Sequence, residues 1–118
     1  MIIDCGSDPF KEDFFIDLGA SPTKRYVSKG TCMCLTKRRA QDETIYSTKM
    51  GACLNAHQMM SLQGFPRDRM KCPPAVSRRE FNACIGNSMS VPVLGTFMRR
   101  LLVTLGYIDQ DFPDPWQA

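Results

Sequence analysis

Six cysteines and one histidine are the obvious reactive side chains: Cys5, Cys32, Cys34, Cys53, Cys72, Cys84 and His57. A thiolate can attack an electrophilic carbon or bind zinc, and an imidazole can move protons near neutral pH. Their spacing favours neither chemistry. There is no Cys-x-x-Cys pair, and a lone histidine is a poor start for a Cys/His zinc set. Cys32 and Cys34 fall on one face of an extended segment, where packing is the commoner role. His57 falls in the first turn of a helix and is read as a surface or capping residue. The N-terminus has no basic, apolar signal segment, and no run approaches a membrane span. Free thiols in a reducing compartment are therefore expected.

The run Gly86-Asn87-Ser88-Met89-Ser90 offers different chemistry. Glycine permits an unusual turn, and short polar side chains just before a helix accompany unpaired N–H donors and partial positive charge. Such a place suits the carboxylate of an amino-acid-like ligand. Capping of the turn alone is the simpler use of the same residues. The charge pattern is uneven on a chain of net charge +3. Asp4, Asp8, Glu12, Asp13 and Asp17 are followed by Lys24, Arg25, Lys29, Lys37, Arg38 and Arg39. A second basic cluster comprises Arg67, Arg69, Lys71, Arg78 and Arg79. These patches suit a phosphate backbone or a solvated surface equally well.

A chain of 118 residues makes one domain but is short for a complete cofactor-binding α/β enzyme. Its 43% hydrophobic and 23% charged residues argue against wholesale disorder. Residues 1 to 22 are turn-rich around the apolar runs Ile2-Ile3 and Phe14-Phe15-Ile16. Extended chain is expected at Tyr26-Val27, Thr31 to Thr36 and Thr44 to Tyr46, with Lys37 to Glu43 as an exposed loop. Helices follow. Asn55 with Gln58 forms a capping box, Leu54 and Met59 its hydrophobic staple, and Gly64 a left-handed end. Met59, Leu62 and Met60 make the buried stripe of that helix. Ser77 with Glu80 and Val76 with Phe81 repeat the arrangement, and Ile85-Gly86 closes the second helix. A third begins near Ser90, accepts Pro92 in its first turn and runs to Leu105. Its face of Val91, Leu94, Met98, Leu101, Leu102 and Leu105 is expected to lean on something larger.

In this order, Leu62-Gln63-Gly64-Phe65-Pro66 and Gly86 to Val93 resemble the last two motifs of DNA (cytosine-5) methyltransferases. The penultimate motif of that family is Arg-x-Leu-Thr-x-x-Glu-x-x-x-Leu-Gln-Gly-Phe-Pro. Leu54 and Leu62 to Pro66 match, Asn55 and Gln58 preserve its capping box, and Ala52 replaces its arginine. In the last motif Ser77, Ile85, Gly86, Asn87, Ser88, Met89 and Val93 match, Glu80 stands for glutamine, and Asn82 and Cys84 depart. Cys32 to Thr36 is similar to the strand ending the family's target-recognition region. The resemblance covers about Leu54 to Leu105.

It implies an α/β class, the C-terminal piece of a Rossmann-like S-adenosylmethionine-dependent methyltransferase fold. Residues 1–50 would end a target-recognition-like region of irregular β structure. Residues 51–118 would supply the three C-terminal helices of the catalytic domain. By the resemblance, Asn87, Ser88 and Met89 contact S-adenosyl-L-methionine. DNA is the implied partner, with Arg25, Lys37, Arg38 and Arg39 as candidate phosphate contacts. The family's nucleophile follows a proline and its glutamate lies in Glu-Asn-Val; neither segment, nor a Phe-x-Gly-x-Gly loop, occurs here. No catalytic residue and no metal ligand is therefore expected in this chain. An N-terminal catalytic lobe, on the same polypeptide or a second one, is implied, with a nuclear location in a eukaryote and a cytoplasmic one otherwise. The alternatives are a non-catalytic DNA-binding or complex-forming module, or the second chain of a split enzyme.

Overall fold

Aromatic and β-branched residues at Phe14-Phe15-Ile16 suit a pleated, half-buried surface and form the central strand of a sheet. The computed structural model describes residues 8–21, 23–24, 26–66 and 69–115. Ile2-Ile3, Cys5, Arg25 and Arg67 lie outside them. Strands β1 (Phe14–Asp17), β2 (Val27–Lys29), β3 (Ile45–Ser47) and β4 (Ala52–Cys53) make one sheet in the order β2-β1-β3-β4. Every pairing is antiparallel, with Phe15 opposite Ser28 and Ser47, and Tyr46 opposite Cys53. Helices α1 (Lys37–Gln41), α2 (Ala56–Leu62), α3 (Arg78–Asn87) and α4 (Val91–Thr104) complete a mixed α/β fold.

Two expectations for the first half are corrected. Residues 37–41 are helical rather than looped, because Thr36 caps α1 by accepting from the Arg39 N–H. Residues 31–36 form no strand, although the alternation holds: Met33 and Leu35 are buried, and Cys34 is exposed. Within the second half, both capping boxes form as expected, at Asn55 with Gln58 and at Ser77 with Glu80. Leu54 and Met59 are buried as a staple requires, but Leu62 is exposed and Met60 takes its place in the core.

The core gathers Met33, Leu35, Ala40, Ile45, Leu54, Met59, Met60 and Ile85, so the sheet, α1, α2 and α3 share it. No residue of α4 is buried. Instead, Leu94, Phe97, Met98, Leu101 and Leu105 are all exposed. The opposite side of α4 carries a hook. Arg99 donates to the carbonyls of Phe112 (2.6 Å) and Gln110 (2.7 Å), and Thr96 bonds Asp114 (3.2 Å). The chain exposes 8529 Å², against roughly 6,500 Å² for a folded monomer of its mass.

A partly buried ion pair locks α1 to the sheet. Arg39 Nε donates to Asp17 Oδ2 at 2.8 Å, and its Nη1 to the Cys34 carbonyl at 2.9 Å. Burial pushes the Asp17 carboxyl up, but Arg39 and the Gly19 N–H together hold it below the usual carboxylate range. A folded-state value below the unfolded one gives stability that is present above the unfolded value and fades as pH falls through the folded one. Urea unfolding should accordingly show a midpoint that drops below about pH 4, more weakly in Asp17→Asn. Arg39→Met, which strands the carboxylate, should lower the unfolding free energy by about 3 kcal/mol.

Candidate functional site

Gly86 is the first surprise at the predicted turn. It lies inside α3, which runs one residue further to Asn87, with Ser88 as its C-cap. The glycine is needed for close approach, not for the turn. A methyl built on Gly86 would lie 2.5 Å from the Thr36 carbonyl oxygen and 2.8 Å from Lys37 Cα. The start of α1 is thus pressed against α3 one residue before Asn87.

Gln63 closes the site from the other side. Its side-chain amide donates to the carbonyls of Ser88 (3.2 Å) and Ile85 (3.4 Å). Its backbone carbonyl accepts from the Val91 N–H at 2.8 Å. One residue at the end of α2 therefore serves the Ser88 carbonyl and the Val91 N–H, which have no helical partner, and adds a donor to an Ile85 carbonyl that Ser88 already serves. Reversing the amide would aim its oxygen at two carbonyls, so the donor orientation follows from the partners. Gly64, at φ +81°, follows in the left-handed region, and a methyl there would overlap the Pro92 ring.

Of the expected cofactor group, Asn87 and Met89 are exposed and Ser88 is half-buried. The Ser88 hydroxyl donates to the Ile85 carbonyl at 2.6 Å, so it faces a ligand chiefly as an acceptor. Helix α4 offers fewer donors than a bare N-terminus. Ser90 makes no side-chain cap, the Val91 N–H is taken, and Pro92 has none. The Asn87 carboxamide remains the open donor and acceptor of the turn, standing at the end of α3 rather than ahead of α4.

Lys37 and Arg38 are exposed on α1. Arg39 is not open, because Asp17 and Cys34 hold its guanidinium; Arg25 lies outside the described residues. The contact at Gly86 brings Thr36 and the Lys37 backbone beside the end of α3, although about fifty residues separate them in the chain. A second ionic set secures this arrangement. Arg78 grips Glu43 with two bonds (2.7 and 2.9 Å), Asn82 donates to the same carboxylate at 2.8 Å, and Arg79 pairs with Asp42. Glu43 adopts φ 49°, a left-handed conformation unusual for a side-chain-bearing residue, as the chain leaves α1.

The reactive side chains stand apart from this site. Burial pushes the Cys32 thiol up, and Asp13 and Cys34 add to this against Arg39, the reverse of what an activated nucleophile needs. His57 is exposed. Among the described residues no group of three or more His, Cys, Asp or Glu could hold a metal ion, and no helix is long and apolar enough to cross a membrane. Gln63 is the residue that sequence reasoning undervalued. Its partners lie 22 and 25 positions away, beyond any local signal.

No family model matches the chain, and neither a curated protein nor a solved structure does so. Gly86→Ala should destabilise the fold by about 1–3 kcal/mol, because backbone atoms must move to admit the methyl. Gly64→Ala should be at least as damaging, combining left-handed strain with the Pro92 overlap. Guanidinium or urea titrations of the two variants check both expectations.

Proposed function

We propose that this chain is the C-terminal piece of a DNA (cytosine-5) methyltransferase and closes its Rossmann-like fold. The observation that carries the reading is the joint at Gln63. The two segments that resemble the family's last motifs share hydrogen bonds and a glycine–proline contact, as parts of one functional unit would. The open apolar face of α4 supports the accompanying idea of a missing lobe on which that helix rests.

In this reading the target cytosine leaves the duplex and its carbon 5 is methylated, the thiolate being supplied by the missing lobe. S-adenosyl-L-methionine supplies the methyl group when bound. This chain's share is binding. The exposed Asn87 carboxamide, the Ser88 hydroxyl and the Met89 backbone fit the polar amino-acid end of such a molecule, in half a pocket. Lys37 and Arg38 would touch phosphates beside it, whereas Arg39 holds α1 in place. The α4 face equally favours a second reading, a non-catalytic module that joins a complex through that helix.

The pure chain should transfer no methyl group to DNA. Mixed with a lobe carrying the Gly-rich loop, Pro-Cys and Glu-Asn-Val, it should support transfer. Asn87→Ala should then weaken S-adenosylmethionine binding about tenfold by equilibrium dialysis. Robust transfer by the chain alone, or unchanged affinity in the variant, would remove the assignment. Failure of any lobe to restore transfer would favour the non-catalytic module. Binding of the assembly to duplex DNA should weaken steeply with added salt, with a slope reduced by about two in a Lys37→Ala, Arg38→Ala double variant.

A further inference from the structure

We infer that Gln63 is a positioning residue for ligand binding at Asn87, Ser88 and Met89, an inference that rests on the cofactor reading above. The turn between α3 and α4 has few restraints of its own. Ser90 caps nothing with its side chain, Asn87 and Met89 are exposed, and Ser88 is tied only to Ile85 within its own helix end. Bonds from outside the turn come from Gln63, whose amide holds the Ser88 carbonyl while its carbonyl holds the Val91 N–H. These two anchors bracket Met89 and Ser90. They set the path of the backbone that presents the Met89 N–H, and the first of them fixes the residue that follows Asn87.

The side chain at Gln63 is suited to this and to little else. It is half-buried, carries no charge and stands where α2 ends, so it adds nothing to the apolar core. A methionine would preserve its length and packing but donate no hydrogen bond. Glutamate would preserve its shape and set a carboxylate against two carbonyls. Because α2 packs its buried face, Met59 and Met60, into the core beneath the sheet, the turn inherits its position from the folded body. Ligand affinity at the turn is thereby made to depend on a residue that touches no ligand.

The test compares wild type with Gln63→Met and Gln63→Glu in two measurements. On the full chain alone, hydrogen exchange at the Val91 amide, which bonds the Gln63 carbonyl across the joint, should quicken about tenfold in the methionine variant, with the Met59 amide of α2 unchanged. In the assembly with the catalytic lobe, dissociation of S-adenosylmethionine should become about tenfold easier, more so for glutamate, with the DNA KM unaltered. A role confined to packing would leave the methionine variant's affinity unchanged, and that result overturns the inference. An unchanged Val91 exchange rate also overturns it. Absence of S-adenosylmethionine binding by the wild-type assembly would instead bring down the cofactor reading, while the exchange measurement still reports whether Gln63 holds the turn.

Discussion

The amide of Gln63 donates to carbonyls at the end of α3, and its own carbonyl receives the first N–H of α4. Each helix end would otherwise present unpaired backbone groups at a junction three residues long. A single residue at the end of a third helix serves both ends, its side chain one and its backbone carbonyl the other, and Gly64 lets the chain turn sharply against Pro92. The placement of α4 against the end of α2 follows from that joint, whereas α2 and α3 also meet in the core through Met59, Met60 and Ile85.

On the opposite side of α3, Gly86 admits α1 to within backbone contact. Polar and charged groups then lock what the missing side chain permits: Arg39 with Asp17 toward the sheet, and Arg78 and Asn82 with Glu43 toward α3. The Asp17 and Glu43 contacts differ in kind. Asp17 is buried, so losing its partner leaves a charge without solvent, whereas Arg78 and Arg79 are largely exposed and solvent screens their pairs. The basic sequence Lys37-Arg38-Arg39 is therefore divided by the fold, two side chains facing solvent and one serving as a structural bolt.

Helix α4 stands outside this economy of contacts. Its apolar stripe faces solvent and its polar side is occupied by the hook that Arg99 holds. An amphipathic helix with no buried residue gains little from packing within the chain, and its exposed apolar residues lie along one face.

Local chemistry determined what the sequence alone could disclose. Asn55 with Gln58 and Ser77 with Glu80 announce helix starts because a cap and its partner lie within one turn. Gly64 and Gly106 announce helix ends for the same local reason, both at positive φ. The alternation of Met33 and Leu35 was legible too, though not that the segment lacks a ladder partner, since pairing depends on distant strands. What only the tertiary structure decided was the use of each motif. Gly86 reads as a turn residue in isolation and proves to be a contact with Thr36, fifty positions away; Arg39 reads as a surface cation and proves to be bound to Asp17. Gln63 reads as one polar residue in a family marker, and becomes the link between motifs because folding brings carbonyls 22 and 25 residues distant within hydrogen-bond reach. Caps and periodicities are properties of neighbouring residues, whereas steric fit and shared hydrogen bonds exist only once separate elements have met.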